Sequence, residues 1–389
     1  MADSLKNIKG DRVIWAVVIL LSIISFLAVY SSTGTLAYKY HSGNTQYYMF
    51  KHGLILAAGL ALMYFAHIVK YTYYSRIFQI ALYIAVPLLL LTLLFGVDIN
   101  DAKRVLPLPF GLTFQTSDLA KITLIVYLAR MLSKKQDEIH DFKSAFVPLM
   151  LPVIIVTGLI FFDNLSTAAL LFTTSIVLIF IGRVKLTYIF AMLGIGLFFL
   201  IIGLTVLYTL PDGQQGRLGT WKKRVTDYVD GNSNNNYQAE HAKIAIATGG
   251  VVGKMPGNST QRNFLPHPYS DFIYAIIVEE YGLIGGISIV LLYLILLFRA
   301  VKIVTKSPGT FGSFLTIGVA FSLVFQAMIN MGVAVGLLPV TGQPLPLVSM
   351  GGTSIWFTSL SIGIILSVSK DITKKEDEVS NQVEELSLT

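Results

Sequence analysis

The chain has 389 residues, of which 54% are apolar and 13% charged, about half the charged share of an ordinary globular domain. A mean hydropathy of +0.68 excludes a water-soluble globule, and the net charge of +7 is then an orientation signal to be read loop by loop, not a nucleic-acid footprint. The absence of cysteine excludes a disulfide scaffold, a Cys-ligated zinc site and a thiol nucleophile.

A hydrocarbon core of roughly 30 Å requires about 20 apolar residues per helix. Ten such runs occur, near residues 13–32, 53–69, 77–97, 118–133, 145–161, 165–182, 187–210, 271–298, 309–331 and 347–369. They are too long for the strands of a membrane barrel. The expected fold is therefore an all-α polytopic integral membrane protein with about ten transmembrane helices. It forms a single membrane domain over 1–369, with a large outer loop at 211–270 between spans seven and eight. The first run follows Lys6, Lys9 and Arg12, exceeds the apolar core of a signal peptide and lacks a convincing small-residue cleavage site, so it is expected to be a retained span. With the N-terminus inside, 17 of the 29 basic residues fall on inner segments and seven in the long outer loop, which favours two cytoplasmic termini. Residues 370–389 are charged, without aromatics or a sustained apolar face, and are expected to form a disordered cytoplasmic tail. No tandem repeat is visible.

Ionisable residues at membrane depth are costly, so each is a candidate for function. Asp118 and Lys121, three apart at the start of span four, can neutralise each other on one helical face. Thr116, Ser117 and Asp118 also resemble a helix N-cap, so the pair is either a structural anchor or part of a site. The loop at 211–270 is too long for a plain connection and carries Trp221, Tyr228, Tyr237 and an apolar helical run from Ala239 to Ala247. The stretch Thr248–Met255 resembles a phosphate-binding loop but fails at both ends, leaving a tight turn or a backbone anion cradle. Arg217, Lys222, Lys223, Arg224, Lys243, Lys254 and Arg262 give this loop a basic excess, suited to a lipid headgroup or pyrophosphate or simply to a solvated loop.

Span eight opens with Ser270-Asp271, where the carboxylate is either an N-cap or a general base at the membrane's outer rim. Glu279 and Glu280, rotated by about 80° and 180° from Asp271 and about 12 Å deeper, are expected to be packing or hydrogen-bonding groups. Residues 332–352 hold eight Gly or Pro in 21 positions and cannot form one regular helix. An apolar irregular segment at membrane depth must line protein or a cavity, which points to a re-entrant wall. The six histidines have no metal-ligand spacing.

Taken together, these segments resemble the SEDS family of bacterial membrane proteins (shape, elongation, division and sporulation). The resemblance rests on Asn330-Met-Gly, Gly336-Leu-Leu-Pro-Val-Thr-Gly342, Pro344-Leu-Pro346 and Ser349-Met-Gly-Gly-Thr-Ser354. Phe114 to Lys121, Tyr237-Gln238 leading into Ala245 to Gly257, and Leu265-Pro266 followed by Asp271-Phe272 and Glu279-Glu280 support it. The resemblance implies a peptidoglycan glycosyltransferase that polymerises lipid II outside the bacterial cytoplasmic membrane. Its implied partners are lipid II, the growing glycan strand, a class B penicillin-binding protein and other division proteins, without nucleic acid. The family's essential acid falls on Asp271 and its polar pair on Asp118 and Lys121, while Gln238 and Ser349 lie in matched motifs as binding or supporting positions. The family commonly has Glu where this chain has Asp118, and His-Thr where it has Tyr269-Ser270. The division branch is the nearer likeness, the elongation branch the second.

Lipid II presents a polyprenyl tail in the membrane, a pyrophosphate at its surface and sugars outside. The expected reaction is inverting transfer, in which Asp271 deprotonates the acceptor 4-hydroxyl and undecaprenyl pyrophosphate leaves. Arg104, Arg217 and Arg224 are the candidate charge stabilisers. No cofactor is demanded; a divalent cation would suit the same task, but no ligand cluster marks one. Lipid II flipping and a non-catalytic division scaffold are the alternatives.

Overall fold

The computed structural model describes residues 10–98, 103–108, 112–209 and 237–387, with Gly219, Lys222 and Thr226 as isolated positions. Each of the ten expected runs is realised as a helix. In chain order the helices are α1 (Arg12–Ser32), a short α2 (Gly34–His41), α3 (Thr45–Ile68) and α4 (Tyr71–Phe95). After the strands described below come α5 (Thr116–Lys134), α6 (Val147–Asp163), α7 (Leu165–Ile181), α8 (Leu186–Thr209) and α9 (Tyr237–Gly249). The chain closes with α10 (Ile273–Lys306), α11 (Thr310–Ala334) and α12 (Gly352–Ser387). Seven of these helices, and α6 together with the π-helical turn Phe142–Phe146 that leads into it, are long and apolar enough to cross a membrane. The apolar α7 has 17 residues. The 19-residue α5 carries Asp118, Lys121, Arg130 and Lys134 and is largely buried by its neighbours. Protein surroundings, not lipid, accommodate its charges.

The most enclosed spans are α11 and α12, while α8 is almost wholly exposed along its apolar length. Close packing of α12 on α3 depends on small residues, as expected where lipid offers no hydrophobic drive for helix association. A side chain at Gly363 would collide with the Met63 carbonyl at 2.6 Å, and one at Gly59 with the Ser359 hydroxyl at 2.8 Å.

Contacts between α1 and α10 calibrate the height of the bundle. At one end Asp11 caps α1 by accepting from Val13 N (2.9 Å) and Ile14 N (3.2 Å), and it also accepts from Arg299 Nε at 2.8 Å. At the other end Ser31 donates to Glu280. Nineteen or twenty residues separate the two levels on either helix, about 30 Å of helix, which matches the thickness of a hydrocarbon core. Lys370, which donates to Ile68 O at 3.2 Å, and Arg130, which donates to Ser75 O at 2.8 Å, lie at the Asp11 end. The opposite end carries Asp271, α9 and the irregular segment after α11.

Two features depart from expectation. A three-stranded antiparallel sheet, β1 (Val97–Asp98), β2 (Lys103–Leu108) and β3 (Leu112–Gln115), lies between α4 and α5. Its β2–β3 register runs from Val105 opposite Gln115 to Leu108 opposite Leu112. Strands this short leave too few alternating residues to signal themselves; the hairpin is fixed instead by neighbours, including Gln115 N donating to Thr353 Oγ1 at 3.2 Å. The second departure is the tail, expected to be disordered from Lys370. It continues α12 to Ser387. Extending an existing helix avoids the cost of nucleation, and Lys, Glu and Leu sustain it.

Candidate active site

Asp271 sits in the turn before α10, which begins at Ile273 with Phe272 as its cap residue. The N-cap reading of Ser270-Asp271 is therefore not realised: the Ser270 hydroxyl donates to Asp271 Oδ1 at 2.9 Å, and no side chain caps the helix. The carboxylate is partly exposed, and among the described residues it has no ion-pair partner. Its backbone, in contrast, is firmly held. Asn330 Nδ2, on α11, donates to Asp271 O at 2.9 Å and to Gln343 O at 2.7 Å. The Ser349 hydroxyl donates to Ser270 O at 2.6 Å, and Met350 N to Tyr269 O at 2.8 Å.

These donors belong to the irregular segment 335–351 or grip it. Gln343 donates to Thr167 Oγ1 at 2.7 Å, Tyr293 OH to Pro346 O at 2.5 Å, and Ser25 Oγ to Val348 O at 2.9 Å. The segment is thus the expected re-entrant wall, its carbonyls satisfied by side chains from α1, α10 and α11 as membrane depth requires. Gly342, at φ 66°, brings the wall closest to the acid: a Cβ there would lie 3.4 Å from Asp271 Oδ2. An L side chain is strained at that dihedral.

A second polar group lies across the wall. Lys121 Nζ is 2.8 Å from Asp118 Oδ1 and donates to Gln326 Oε1 at 3.2 Å. Gln326 Nε2 in turn donates to Pro344 O at 2.9 Å, so the Asp118–Lys121 pair reaches the wall through one amide. Asp118 is buried, and its Oδ2 has no hydrogen-bond partner among the described residues. Asp118, Lys121, Ser322, Gln326, Ser354 and Thr358 line a cavity of about 40 Å³, room for a few waters. The capping expected of Thr116 to Asp118 is absent: Gln115 is the cap residue, and Thr116 instead shares a hydrogen bond with Thr92 at 2.9 Å.

Glu279 and Glu280 are structural. Glu279 is fully buried and takes Lys254 Nζ at 2.7 Å, Thr260 Oγ1 at 2.9 Å, Thr260 N at 3.1 Å, Gln261 N at 3.2 Å and the Ser259 hydroxyl. Glu280 accepts from Ser31, whose carbonyl accepts from Arg262 at 3.0 Å. The two acids fasten residues 254–262 to α10.

The family model described as Cell cycle protein, covering FtsW, RodA and SpoVE, matches residues 11–374. The chain belongs to this family. Stage V sporulation protein E of Bacillus subtilis (strain 168) is 32% identical over 374 residues, covering 94% of this chain and 98% of that protein. A probable peptidoglycan glycosyltransferase FtsW of Geobacter metallireducens is 32% identical over 375 residues, covering 94% and 96%. Among solved structures, a chain of a peptidoglycan synthase complex superposes with TM-score 0.75 at 24% identity, covering 93% of this chain and 98% of that one. RodA of Thermus thermophilus superposes with TM-score 0.63 at 24% identity, covering 93% and 97%. These superpositions bear out the polytopic helical fold.

In this FtsW/RodA/SpoVE-family chain, Asp271 and Ser349 meet at the wall, while Asp118 and Lys121 reach it through Gln326. Arg104 stands on β2, whose partner strand β3 touches the start of α12. Gln238 is partly buried in the first turn of α9. Arg217 and Arg224 lie outside the described residues. Among the described residues no group of three or more His, Cys, Asp or Glu could hold a metal ion. Sequence reasoning passed over Gln326 and the bracing role of Asn330. Their signal is the i, i+4 spacing of two amides in an apolar helix, which puts both on one face. Lys243, one of the seven basic residues of the outer loop, is exposed on α9, and its aliphatic stem lies against Gly336 so closely that a Cβ there would meet Cε at 2.1 Å.

Proposed function

We propose that this chain is a peptidoglycan glycosyltransferase that polymerises lipid II at the outer face of the bacterial cytoplasmic membrane, with Asp271 as general base. One observation carries the reading: a partly exposed carboxylate with a single hydroxyl partner, on a backbone braced by Asn330 and Ser349, at the end of the bundle opposite the basic Arg130, Arg299 and Lys370. Basic residues collect on the cytoplasmic side, which turns Asp271 outward and both termini inward. The acceptor sugar's 4-hydroxyl gives its proton to the carboxylate, its oxygen bonds the donor's anomeric carbon, and the bond to undecaprenyl pyrophosphate breaks with inversion. Arg104 and Lys243, with Arg217 and Arg224, are the cations for the departing pyrophosphate. Septal synthesis, with a class B penicillin-binding protein as crosslinking partner and other division proteins around it, fits the FtsW names of several relatives.

The polar cavity beside Asp118 and Lys121 favours a second reading, translocation of lipid II. The test is to incubate the purified chain and its transpeptidase with lipid II and, in parallel, to follow headgroup movement across vesicles. Polymer supports the transferase; translocation without polymer replaces it with the flippase.

A further inference from the structure

The turn after α9 is built for a place where no loop is expected. Helix α10 breaks at Gly282, whose φ of 69° and ψ of −170° are open to glycine and strained for other residues. The turn docks into the break. Leu283 N donates to Gly250 O at 3.0 Å and Ile284 N to Val251 O at 3.4 Å. In return Lys254 N donates to Glu279 O at 2.9 Å and Met255 N to Glu280 O at 3.0 Å. Approach is so close that a Cβ on Gly249, Gly253 or Gly282 would lie 2.2 Å from a backbone oxygen across the contact. The glycines that looked like a phosphate cradle are there to let two backbones touch.

The tip is apolar and exposed: Val251 by 63%, Val252 by 68% and Met255 by 62%. Its one charge is folded back, with Lys254 Nζ on the buried Glu279 at 2.7 Å. The tip adjoins Leu283, Ile284 and Ile287, the exposed apolar stripe of α10. Its depth follows from the α1–α10 contacts. Gly282 and Ile284 lie two and four residues below Glu280, towards Arg299, hence roughly 3–6 Å inside the outer level.

We propose that residues 249–255 form a wedge seated in the outer leaflet of the bilayer, with Val251, Val252 and Met255 among the lipid acyl chains. The turn goes most of the way to what hydrocarbon imposes: its exposed tip is apolar, its lysine is neutralised by Glu279, and four backbone hydrogen bonds tie it to the helix break. It is continuous with a face of α10 that already meets lipid. The reading needs no catalytic role for any residue.

The lack of cysteine makes the test direct. Val252→Cys, and separately Val251→Cys, are labelled with an environment-sensitive fluorophore in the full chain and reconstituted into phosphatidylethanolamine–phosphatidylglycerol vesicles. Ile287→Cys is the lipid-facing reference, and Asn258→Cys, exposed in the same loop, the aqueous one. Nitroxide placed high on the acyl chain is expected to quench the Val251 and Val252 labels about twofold or more over Asn258, with aqueous iodide showing the reverse order. Labels at Val251 and Val252 that follow Asn258 would put the turn in water and overturn the proposal. Labels shielded from both quenchers would overturn it in favour of a protein contact.

Discussion

Asp271 and Glu279 lie eight residues apart on one segment, and the structure treats them in opposite ways. Glu279 is fully buried and takes four hydrogen bonds from Ser259, Thr260 and Gln261 besides its ion pair with Lys254. Asp271 is partly exposed, with one hydroxyl on its carboxylate and its bracing confined to the main chain. A carboxylate saturated with fixed donors has no lone pair left for a substrate proton. One held by its backbone keeps its oxygens available while its position stays fixed, the condition for a general base. Composition gives both the same weight; their surroundings divide the labour between them.

Removing the saturated acid is expected to have the largest effect on stability. Glu279→Ala leaves the Lys254 ammonium and the donors of 259–261 without their acceptor, a loss of about 3–5 kcal/mol. It should appear as a sharply lower melting temperature in detergent, with turnover per folded molecule far less affected. A stable Glu279→Ala protein without activity would erase the distinction between the two acids. Next comes the brace. Asn330→Ala strips a donor from Asp271 O and Gln343 O and should cost about 1–3 kcal/mol; with the acid itself intact, kcat should fall more than KM rises. A rise in KM alone would make Asn330 a binding residue instead. The smallest effect belongs to the wall: Gly342→Ala places a methyl against the acid at a left-handed dihedral, about 1–2 kcal/mol of strain. Reduced turnover with little change in expression is expected, and unchanged turnover would show that the wall yields.

Most of the fold was legible in the sequence because a bilayer imposes length and hydropathy on each span. That rule located ten of the twelve helices described and, through Gly and Pro, the irregular wall. It could not reveal the pairing of Lys103–Leu108 with Leu112–Gln115, held by tertiary contacts such as Gln115 to Thr353. Nor did it foresee that Ser270 would donate to Asp271 instead of capping α10, since the helix starts two residues later. Tail residues beyond Lys370 misled for a related reason: their composition describes an isolated segment, whereas here they extend a helix already formed. In the site, the acid and the Asp118–Lys121 pair stood out as charges in apolar runs. Gln326 and Asn330 did not, because a neutral amide in a span is costly only when unpaired, and its partners become visible only once the wall is folded.

The central claim is that Asp271 acts by chemistry and not by holding the fold. Its most direct test is lipid II polymerisation by purified Asp271→Asn with the transpeptidase partner, beside its melting temperature. The account predicts a folded protein with an unchanged melting temperature and glycan synthesis reduced by about 10²–10⁴-fold. Glycan synthesis at the wild-type rate by that folded variant would contradict it.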